Sequence, residues 1–231
     1  MLKMSRIITF AALLALPFTM ATSAAPAAEA FLAKLTWTGQ SGVRIKSGIV
    51  VHIDPYKVAR PEKADLILIT HAHRDHYSVD DIKAIKKDGT VLVVPRDLEK
   101  CGLTAEVKAI EPGQVLEIKG IKIGAVPAYN TNKSYHPQAN KWLGYVLEID
   151  GLTVYHAGDT DQIPEMKDLS GVDIALLPVG GTYTMDPAEA AEAAKVIRAG
   201  LTIPMHNSTP ENLAKFKSLY PEAKILSVQG Q

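Results

Sequence analysis

The chain has 231 residues, of which 47% are apolar and 22% charged, a composition typical of one globular domain with a substantial core. Lysine plus arginine and aspartate plus glutamate balance at 25 each, and no basic run occurs, which argues against nucleic acid as a partner. Cys101 is the only cysteine, so the chain cannot form an intrachain disulfide, and thiolate ligation of a metal is disfavoured.

The first residues have the pattern of a secretory signal peptide. Lys3 and Arg6 precede an apolar stretch over residues 7–20, and small residues follow as far as Ala30. The apolar stretch is short for a membrane span. We therefore expect a secreted or periplasmic protein with no stable membrane insertion once the signal is removed; an uncleaved N-terminal anchor is the alternative.

Small residues at two positions offer a cleavage site. Cleavage after Ala24 is preferred, and cleavage after Ala30 is the alternative. The prediction is a signal peptide over residues 1–24 and a single functional domain over residues 31–231, with no linker or repeat to divide it.

The rest of the chain is rich in predicted strands, with turns at regular intervals. Asp150-Gly151 between two apolar runs is the clearest hairpin signal, and Ser47-Gly48 and Lys119-Gly120 mark two others. Short unbroken apolar runs are typical of strands buried on both faces. The predicted strands cover Lys34–Trp37, Val43–Lys46, Ile49–Ile53, Leu66–Ile69, Val91–Val94, Val115–Ile118, Ile121–Val126, Trp142–Ile149, Leu152–His156, Ile174–Leu177 and Ile225–Val228.

Three helices are predicted from their capping residues. Each begins at a serine, aspartate or threonine whose side-chain oxygen can accept a hydrogen bond from the first turn. The predicted helices run from Ser78 to Lys87, from Asp186 to Ala199 and from Thr209 to Tyr220. Because so many strands need two packed layers, we expect an α/β fold of two sheets with helices outside them.

The segment His71-Ala72-His73-Arg74-Asp75-His76 carries four metal-binding side chains directly after an apolar strand. Imidazole and carboxylate together suit Zn²⁺ or a similar divalent ion. His71 and His73 are two residues apart and can point to the same side, whereas Asp75 and His76 follow a turn of the chain. One loop can therefore serve two metals about 3.5–4 Å apart, the spacing of dinuclear hydrolases.

Further ligands are predicted at three later positions. Asp159 follows a strand that ends at a glycine, and a carboxylate with two oxygens can bridge two cations. His206 emerges at the end of another apolar strand. His136 lies in the polar loop Tyr129–Lys141, and long irregular loops often carry functional residues.

In this order, T-H-A-H-R-D-H, the loop His136, H-A-G-D-T, P-V-G-G and P-M-H-N resemble the metallo-β-lactamase superfamily. The resemblance runs from about Leu35 to the C-terminus and is greatest to the hydrolase branch related to ascorbate-6-phosphate lactonase. Asp54, within I-D-P-Y, matches the same branch. The resemblance implies a four-layer αβ/βα sandwich, with two mixed sheets flanked by helices and the metals at one edge of the sheets.

The resemblance also implies which residues bind two metal ions, most simply Zn²⁺, with Mn²⁺ or Fe²⁺ as alternatives. The first ion is assigned His71, His73 and His136, the second is assigned Asp75, His76 and His206, and Asp159 bridges the two. Asp54 either holds the free N–H of a ligand histidine or caps the turn at Pro55. His156 either orients a ligand or packs as an ordinary strand residue.

Two departures from the superfamily pattern bear on the activity. The penicillin-cleaving zinc enzymes commonly place cysteine where Asp159 stands, so this chain is not expected to hydrolyse β-lactams. Gln40 stands where relatives often carry histidine, and its amide can hydrogen-bond but cannot exchange protons at neutral pH.

The predicted function is metal-dependent hydrolysis of a small molecule. A hydroxide activated by two metals would cleave an ester, lactone or phosphodiester bond, with Asp75 and Asp159 as the catalytic carboxylates. Asp75 is also a candidate proton acceptor. The alternatives are a redox or sulfur-handling member of the same fold and a metal-binding protein without turnover.

Overall fold

The computed structural model describes residues 24–206 and 209–230. The predicted signal peptide, with its end at residue 24 or 30, falls largely outside the described residues, and so does Asn207 of the P-M-H-N motif. Within the described ranges, no helix is long and apolar enough to cross a membrane.

The described chain forms strands, α-helices and short 3₁₀ helices, numbered here in chain order. The strands are β1 Leu35–Gly39, β2 Gly42–Ser47, β3 Ile49–Ile53, β4 Ala64–Leu68, β5 Lys86–Pro95, β6 Glu106–Ile110, β7 Val115–Ile118, β8 Ile121–Pro127, β9 Leu143–Ile149, β10 Leu152–His156, β11 Ile174–Pro178 and β12 Leu201–Met205. The α-helices are α1 Ala24–Phe31, α2 Val79–Ile85, α3 Pro187–Ile197 and α4 Pro210–Leu219. The 3₁₀ helices are Leu32–Lys34, Arg96–Leu98, Gln138–Asn140 and Pro164–Leu169.

The strands form two six-stranded sheets with similar topology. The first sheet has the order β1-β2-β3-β4-β5-β6, and the second has the order β12-β11-β10-β9-β8-β7. Each begins along the chain with antiparallel hairpins and continues with parallel strands, β3 to β6 in the first sheet and β10 to β12 in the second. Both sheets are therefore mixed, as the sequence predicted.

Alternating side chains of β4 show how the layers stack. Leu66 and Leu68 belong to the large core that includes residues of both sheets, whereas Ile67 points into a second apolar cluster. In that second cluster Ile67 meets Ile82 and Ile85 of α2, so this helix covers the outer face of the first sheet. Helix α3 packs on β11 of the second sheet, which completes a helix–sheet–sheet–helix sandwich and confirms the predicted fold class.

Several element boundaries differ from the prediction. Helix α2 ends at Ile85 rather than Lys87, because β5 begins at Lys86. Helix α3 ends at Ile197, two residues before the predicted end, because Arg198 takes a left-handed conformation with φ of 50°. Strand β6 was not predicted. Its apolar residues alternate with the charged residues Glu106 and Lys108, and it pairs only with β5 because it lies at the edge of the sheet.

The prediction of a strand over Ile225–Val228 is wrong. Residues on either side of the segment bond to different sheets. The N–H of Lys224 donates to the carbonyl of Thr202 in the edge strand β12, and the N–H of Gln229 donates to the carbonyl of Trp37 in the edge strand β1. A segment that crosses between two sheet edges forms no ladder with either, although Leu226 and Val228 pack against the core.

The two sheets place four of their strand ends at one edge. Asp54 directly follows β3, the loop beginning at His71 follows β4, Asp159 follows β10, and His206 directly follows β12. In open α/β sheets the crevice beyond the carboxyl ends of parallel strands is the usual position of a functional site. The topology thus brings the predicted ligands toward a common crevice.

Two fully buried tyrosines of the second sheet provide a matched test of this packing. The hydroxyl of Tyr145 donates to the carbonyl of Ile69, 2.7 Å away, and so ties the second sheet to the end of β4. The hydroxyl of Tyr155 is also buried but has no hydrogen-bond partner among the described residues. We predict that Tyr145→Phe lowers the free energy of unfolding by about 1–3 kcal/mol. Tyr155→Phe should leave it unchanged or raise it, as measured by urea denaturation; equal losses in both variants would contradict the assignment.

Candidate metal centre

The histidine loop turns sharply between its two pairs of predicted ligands. The backbone N–H groups of His76 and Tyr77 both donate to the carbonyl of His73, at 3.0 and 2.8 Å. This turn lies between His71 and His73 on one side and Asp75 and His76 on the other. The loop therefore contributes two residues to each of two neighbouring ligand groups.

The structure brings all seven predicted ligands together in three overlapping groups. Within each group, one ligand atom from every residue lies within 4.8 Å of the others. The groups are His71, His73 and His136; His71, His76 and Asp159; and Asp75, His76 and His206. The first and third groups are the sets that the resemblance assigns to the two ions. The second joins one histidine from each set through Asp159.

Asp159 lies at the centre of this arrangement and is only 4% exposed. Four imidazole nitrogens, all Nε2, surround its Oδ2 atom. The distances are 3.1 Å to His206, 3.3 Å to His76, 3.4 Å to His136 and 4.0 Å to His71. A carboxylate in this position can serve both ligand sets.

Burial and charge act in opposite directions on Asp159 and His76. Burial raises the pKa of the Asp159 carboxyl, but His76 and His206 outweigh it and hold that pKa well below its usual range. Burial lowers the pKa of His76, but the carboxylates of Asp159 and Asp54 outweigh it and raise that pKa well above its usual value. Without a metal, the centre is thus held together by buried charge.

The histidines of the first group behave differently. Burial, reinforced by the neighbouring His76, holds the pKa of His71 well below its usual value. Burial likewise lowers the pKa of His136 to about 4, although Asp159 opposes the shift. Both rings are therefore neutral at pH 7, and a neutral imidazole has the lone pair that a metal requires.

Buried atoms without partners test whether these residues fit a metal ion. The Nε2 atoms of His76 and His136 and the Oδ1 atom of Asp159 are buried and have no hydrogen-bond partner among the described residues. An unsatisfied buried polar atom costs about 1–3 kcal/mol, so such atoms seldom cluster without a ligand. All three can offer a lone pair to a cation. The donor set therefore fits divalent metal ions.

Asp54 holds His76 from behind. Its Oδ2 atom lies 2.8 Å from Nδ1 of His76 and accepts a hydrogen bond of 2.6 Å from the hydroxyl of Thr70. Its Oδ1 atom accepts the backbone N–H of Thr70 at 2.8 Å. When the ring of His76 is neutral, as metal binding requires, these bonds keep its proton on Nδ1, and the lone pair of Nε2 faces the cluster. The structure thus shows a contact between Asp54 and His76, a predicted ligand.

His156 contacts the segment that precedes Asp159. One of its ring nitrogens, Nε2, lies 2.8 Å from the carbonyl of Ser41, and the other, Nδ1, accepts the N–H of Gly158 at 3.2 Å. These bonds fix the turn at Gly158 that precedes Asp159, and they tie it to the β1–β2 loop. No hydrogen bond to a predicted ligand is found for His156 in the described part of the chain.

A buried network that the sequence did not reveal places His136. Asn130 accepts the backbone N–H of His136 at 2.9 Å through its Oδ1 atom, which also lies 3.1 Å from Nδ1 of the ring. Its amide nitrogen donates to Asp161, 3.0 Å away, and to the carbonyl of Tyr183. Asp161 is fully buried and also accepts the N–H of Thr131 and pairs with Lys133. Only the position of Asp161, two residues after Asp159, could have hinted at this role.

Trp142 is a second component that the sequence analysis placed only in a strand. Its ring centroid lies 5.0 Å from that of His71, 4.9 Å from His73 and 5.7 Å from His136. Its indole N–H donates to Asp97 at 2.9 Å, which fixes the ring. The three histidines of the first group thus pack around one indole ring.

Gln40 reaches the other side of the centre. Its amide nitrogen donates to Oδ2 of Asp75 at 2.9 Å and lies 3.0 Å from Nε2 of His206. The sequence analysis singled out Gln40 as a departure from relatives, and the structure places it in direct contact with two predicted ligands.

The chain is similar to known proteins in sequence and in structure. The family described as "Beta-lactamase superfamily domain" matches residues 34–206. The chain belongs to the metallo-β-lactamase superfamily. Within it, the chain is 35% identical over 196 residues to a UPF0173 metal-dependent hydrolase of Thermococcus onnurineus, with 77% of this chain and 86% of the relative covered. The chain accordingly belongs to the metal-dependent hydrolases of this superfamily.

Solved structures show the same relationship. A crystal structure from Parabacteroides distasonis is similar with a TM-score of 0.78 and 34% identity, covering 84% of this chain and 93% of that one. Igni18, described as a metallo hydrolase from Ignicoccus hospitalis, is similar with a TM-score of 0.67 and 28% identity, covering 85% and 95%. The superfamily fold predicted from the motifs is therefore confirmed.

The contacts of Asp54 predict a loss of metal affinity in Asp54→Asn. Asparagine tolerates the left-handed backbone of this residue, whose φ is 46°, so the fold should persist. In either orientation of the amide, however, an NH₂ group would face a donor of Thr70 or His76. We expect zinc affinity to fall about 10- to 100-fold in competition with a chromogenic chelator.

The matched control for this variant is Asp65→Asn. Asp65 also accepts a backbone N–H, that of Val50, but lies at the opposite end of β4. Zinc affinity should be unchanged in this control. A loss of equal size in both variants would show that Asp54 acts only on general stability.

The buried network predicts that Asp161→Asn loosens the loop before His136. The amide cannot accept all the hydrogen bonds that the carboxylate accepts, and it loses the ion pair with Lys133. We expect faster hydrogen exchange at the N–H of Thr131 and His136 and weaker binding of added Zn²⁺ by the group His71, His73 and His136. Asp173→Asn is the control, because Asp173 accepts the N–H of Thr153 outside this loop. Unchanged exchange in Asp161→Asn would contradict the anchoring role.

Proposed function

We propose that this metal-dependent hydrolase uses two divalent metal ions to cleave an ester, lactone or phosphodiester bond of a small molecule. The observation that carries the proposal is the position of Asp159. Its Oδ2 atom lies within 3.4 Å of Nε2 of His136, from the first ligand group, and of His76 and His206, from the second. One carboxylate between two complete ligand sets favours a dinuclear centre.

His71, His73 and His136 would hold the first ion, and Asp75, His76 and His206 the second, with Asp159 between them. When bound, such a pair of cations lowers the pKa of water toward 7 and supplies a hydroxide nucleophile at neutral pH. The nitrogen-rich first set favours Zn²⁺, and the mixed set of the second position also accepts Mn²⁺ or Fe²⁺.

Asp75 and Asp159 would have different roles because their exposure differs. The side chain of Asp159 is 3% exposed and enclosed by imidazoles, so it would serve as a fixed bridge. The side chain of Asp75 is 37% exposed, and it would be the carboxylate that can accept a proton and pass it to solvent. His73, more open to solvent than His71 and His136, marks the side from which a substrate would approach.

The absence of a thiol at position 159 supports a substrate other than a β-lactam. Asp159 presents two hard oxygen atoms where penicillin-cleaving zinc enzymes commonly present sulfur. Oxygen ligands favour hard or borderline cations and retain the negative charge that a bridge requires. An uncharged lactone or ester and an anionic phosphodiester are both compatible with this charge.

We also propose that the protein is exported and that its signal peptide is cut after Ala24. Ala28 and Phe31 of α1 are buried in the large core, and the helix packs against β12. Cleavage after Ala30 would remove most of this packed helix, so its burial supports the earlier site. Mass spectrometry of the protein from the producing cell would show the mature N-terminus.

The experiment that tests the function is a screen of the metal-loaded protein against chromogenic esters, lactones, amides and phosphodiesters. We expect turnover with at least one class, loss of it with a chelator and recovery with Zn²⁺. Asp159→Ala should abolish measurable turnover, because the carboxylate between the two ligand sets is lost. Asp88→Ala, at an exposed position at the start of β5, should retain it.

A fully metallated protein that turned over no member of the screen would contradict the hydrolytic proposal and favour a metal-binding protein without turnover. Metal content is measured on the same samples by elemental analysis, so failure to load and failure to react remain distinct.

A further inference from the structure

The side chain of Gln40 contacts one side of the candidate metal centre only. Its amide nitrogen lies at hydrogen-bond distance from Asp75 and His206, two of the three residues that would hold the second ion. No hydrogen bond joins it to His71, His73 or His136 in the described residues. Gln40 therefore contacts ligands of the second candidate metal position but, in the described part of the chain, not those of the first.

The backbone presents this side chain in a fixed place. The carbonyl of Gln40 accepts the indole N–H of the buried Trp37 at 2.8 Å and the backbone N–H of His206 at 2.9 Å. Its φ of 51° is left-handed, a conformation that costs free energy in a residue other than glycine and persists only where the surroundings impose it. The amide is thus held against His206 by the same main chain that positions His206.

The hydrogen-bond geometry makes the contact with His206 incompatible with a metal ion on the same atom. An amide nitrogen is a donor only, and the carboxylate oxygen of Asp75 at 2.9 Å identifies this end of the Gln40 amide as the nitrogen. This nitrogen lies 2.9 Å from Oδ2 of Asp75 and 3.0 Å from Nε2 of His206, the two atoms that the second ion would use. Because an amide nitrogen has no lone pair to offer a cation, the amide must turn away before an ion can bind both atoms.

We infer that Gln40 is a positioning residue that sets unequal affinities at the two metal positions. The inference rests on the proposed two-metal function and deepens it. The position formed by His71, His73 and His136 fills first. The second position fills only when the Gln40 amide turns away from His206, so its ion binds more weakly and exchanges faster.

The test is a titration of the chelator-treated protein with Zn²⁺. Isothermal titration calorimetry measures each binding step, and native mass spectrometry counts the bound ions. For the wild-type chain we expect two successive binding steps. Gln40→Met keeps an unbranched side chain of similar length on the same left-handed backbone, but it removes the hydrogen-bond donor. It should tighten the second step about tenfold and leave the first unchanged.

Gln40→Glu serves as a second variant. At neutral pH the carboxylate cannot donate to His206 and adds negative charge beside the second position, so its effect on the second step should exceed that of Gln40→Met. Gln138→Met is the matched control, because Gln138 is exposed and lies in a short 3₁₀ helix after the His136 loop. Both steps should be unchanged in the control. Thermal unfolding of each metal-free variant verifies that the fold is retained.

The outcomes separate the inference from the proposed function. Two ions bound with the same constants in wild type and Gln40→Met would overturn the inference and leave the two-metal centre intact. A single ion bound by both chains would overturn the two-metal centre and the inference with it. A single ion in wild type and two in Gln40→Met would support the inference in its strongest form.

Discussion

The burial of the Asp159 carboxylate among imidazole rings is the interaction on which the rest of the site depends. A charged carboxylate that is 4% exposed is stable only if opposite charge or a metal compensates for its lost hydration. Without a metal, His76 and His206 provide that charge, as the lowered pKa of Asp159 indicates. The neighbours of these groups have to hold them at short distances against their preference for water.

That requirement explains the strained backbone around the centre. Gln40, Asp54 and His206 all have left-handed φ values, between 46° and 51°. Each follows a strand or lies in the turn that joins two strands, and each carries a side chain that contacts the centre. In each case the left-handed residue is the one whose own side chain reaches the centre, and the packed sheets supply the free energy that holds it in this conformation.

The local chemistry of the site was predictable from the sequence, but its supporting structure was not. The run from His71 to His76 after an apolar strand, and the polar residues after β10 and β12, are local patterns that identify ligands by type and spacing. The role of Asp161 depends on a loop that folds back to contact it from 30 residues earlier, which no local pattern contains. The same applies to Trp142, whose ring looks like an ordinary apolar strand residue until the three histidines pack on it.

The sandwich itself followed from the alternation and number of the strands, whereas errors occurred where tertiary context overrides local preference. Ile225–Val228 has the composition of a strand, yet the residues on either side of it bond to two different sheets. Arg198 ends α3 at Ile197, two residues before the predicted end at Ala199. In both cases the sequence shows which conformation is favourable, while the neighbouring sheet or helix decides where it stops.

The two halves of the centre are supported by different means, and this asymmetry is a physical basis for two unequal metal positions. The first ligand set relies on side chains: Asn130 and Asp161 hold His136, and Trp142 backs the rings. In the second set the carboxylate of Asp54 holds His76, but His206 relies on the main chain, through the bond from its N–H to the carbonyl of Gln40 and the strained turns at both residues. A side-chain network can adjust to an incoming ion by small rotations, but a strained main-chain turn is stiff. The adjustment at the second position therefore falls to the Gln40 amide, whose nitrogen has no lone pair to offer and must turn away from Asp75 and His206 before an ion binds there.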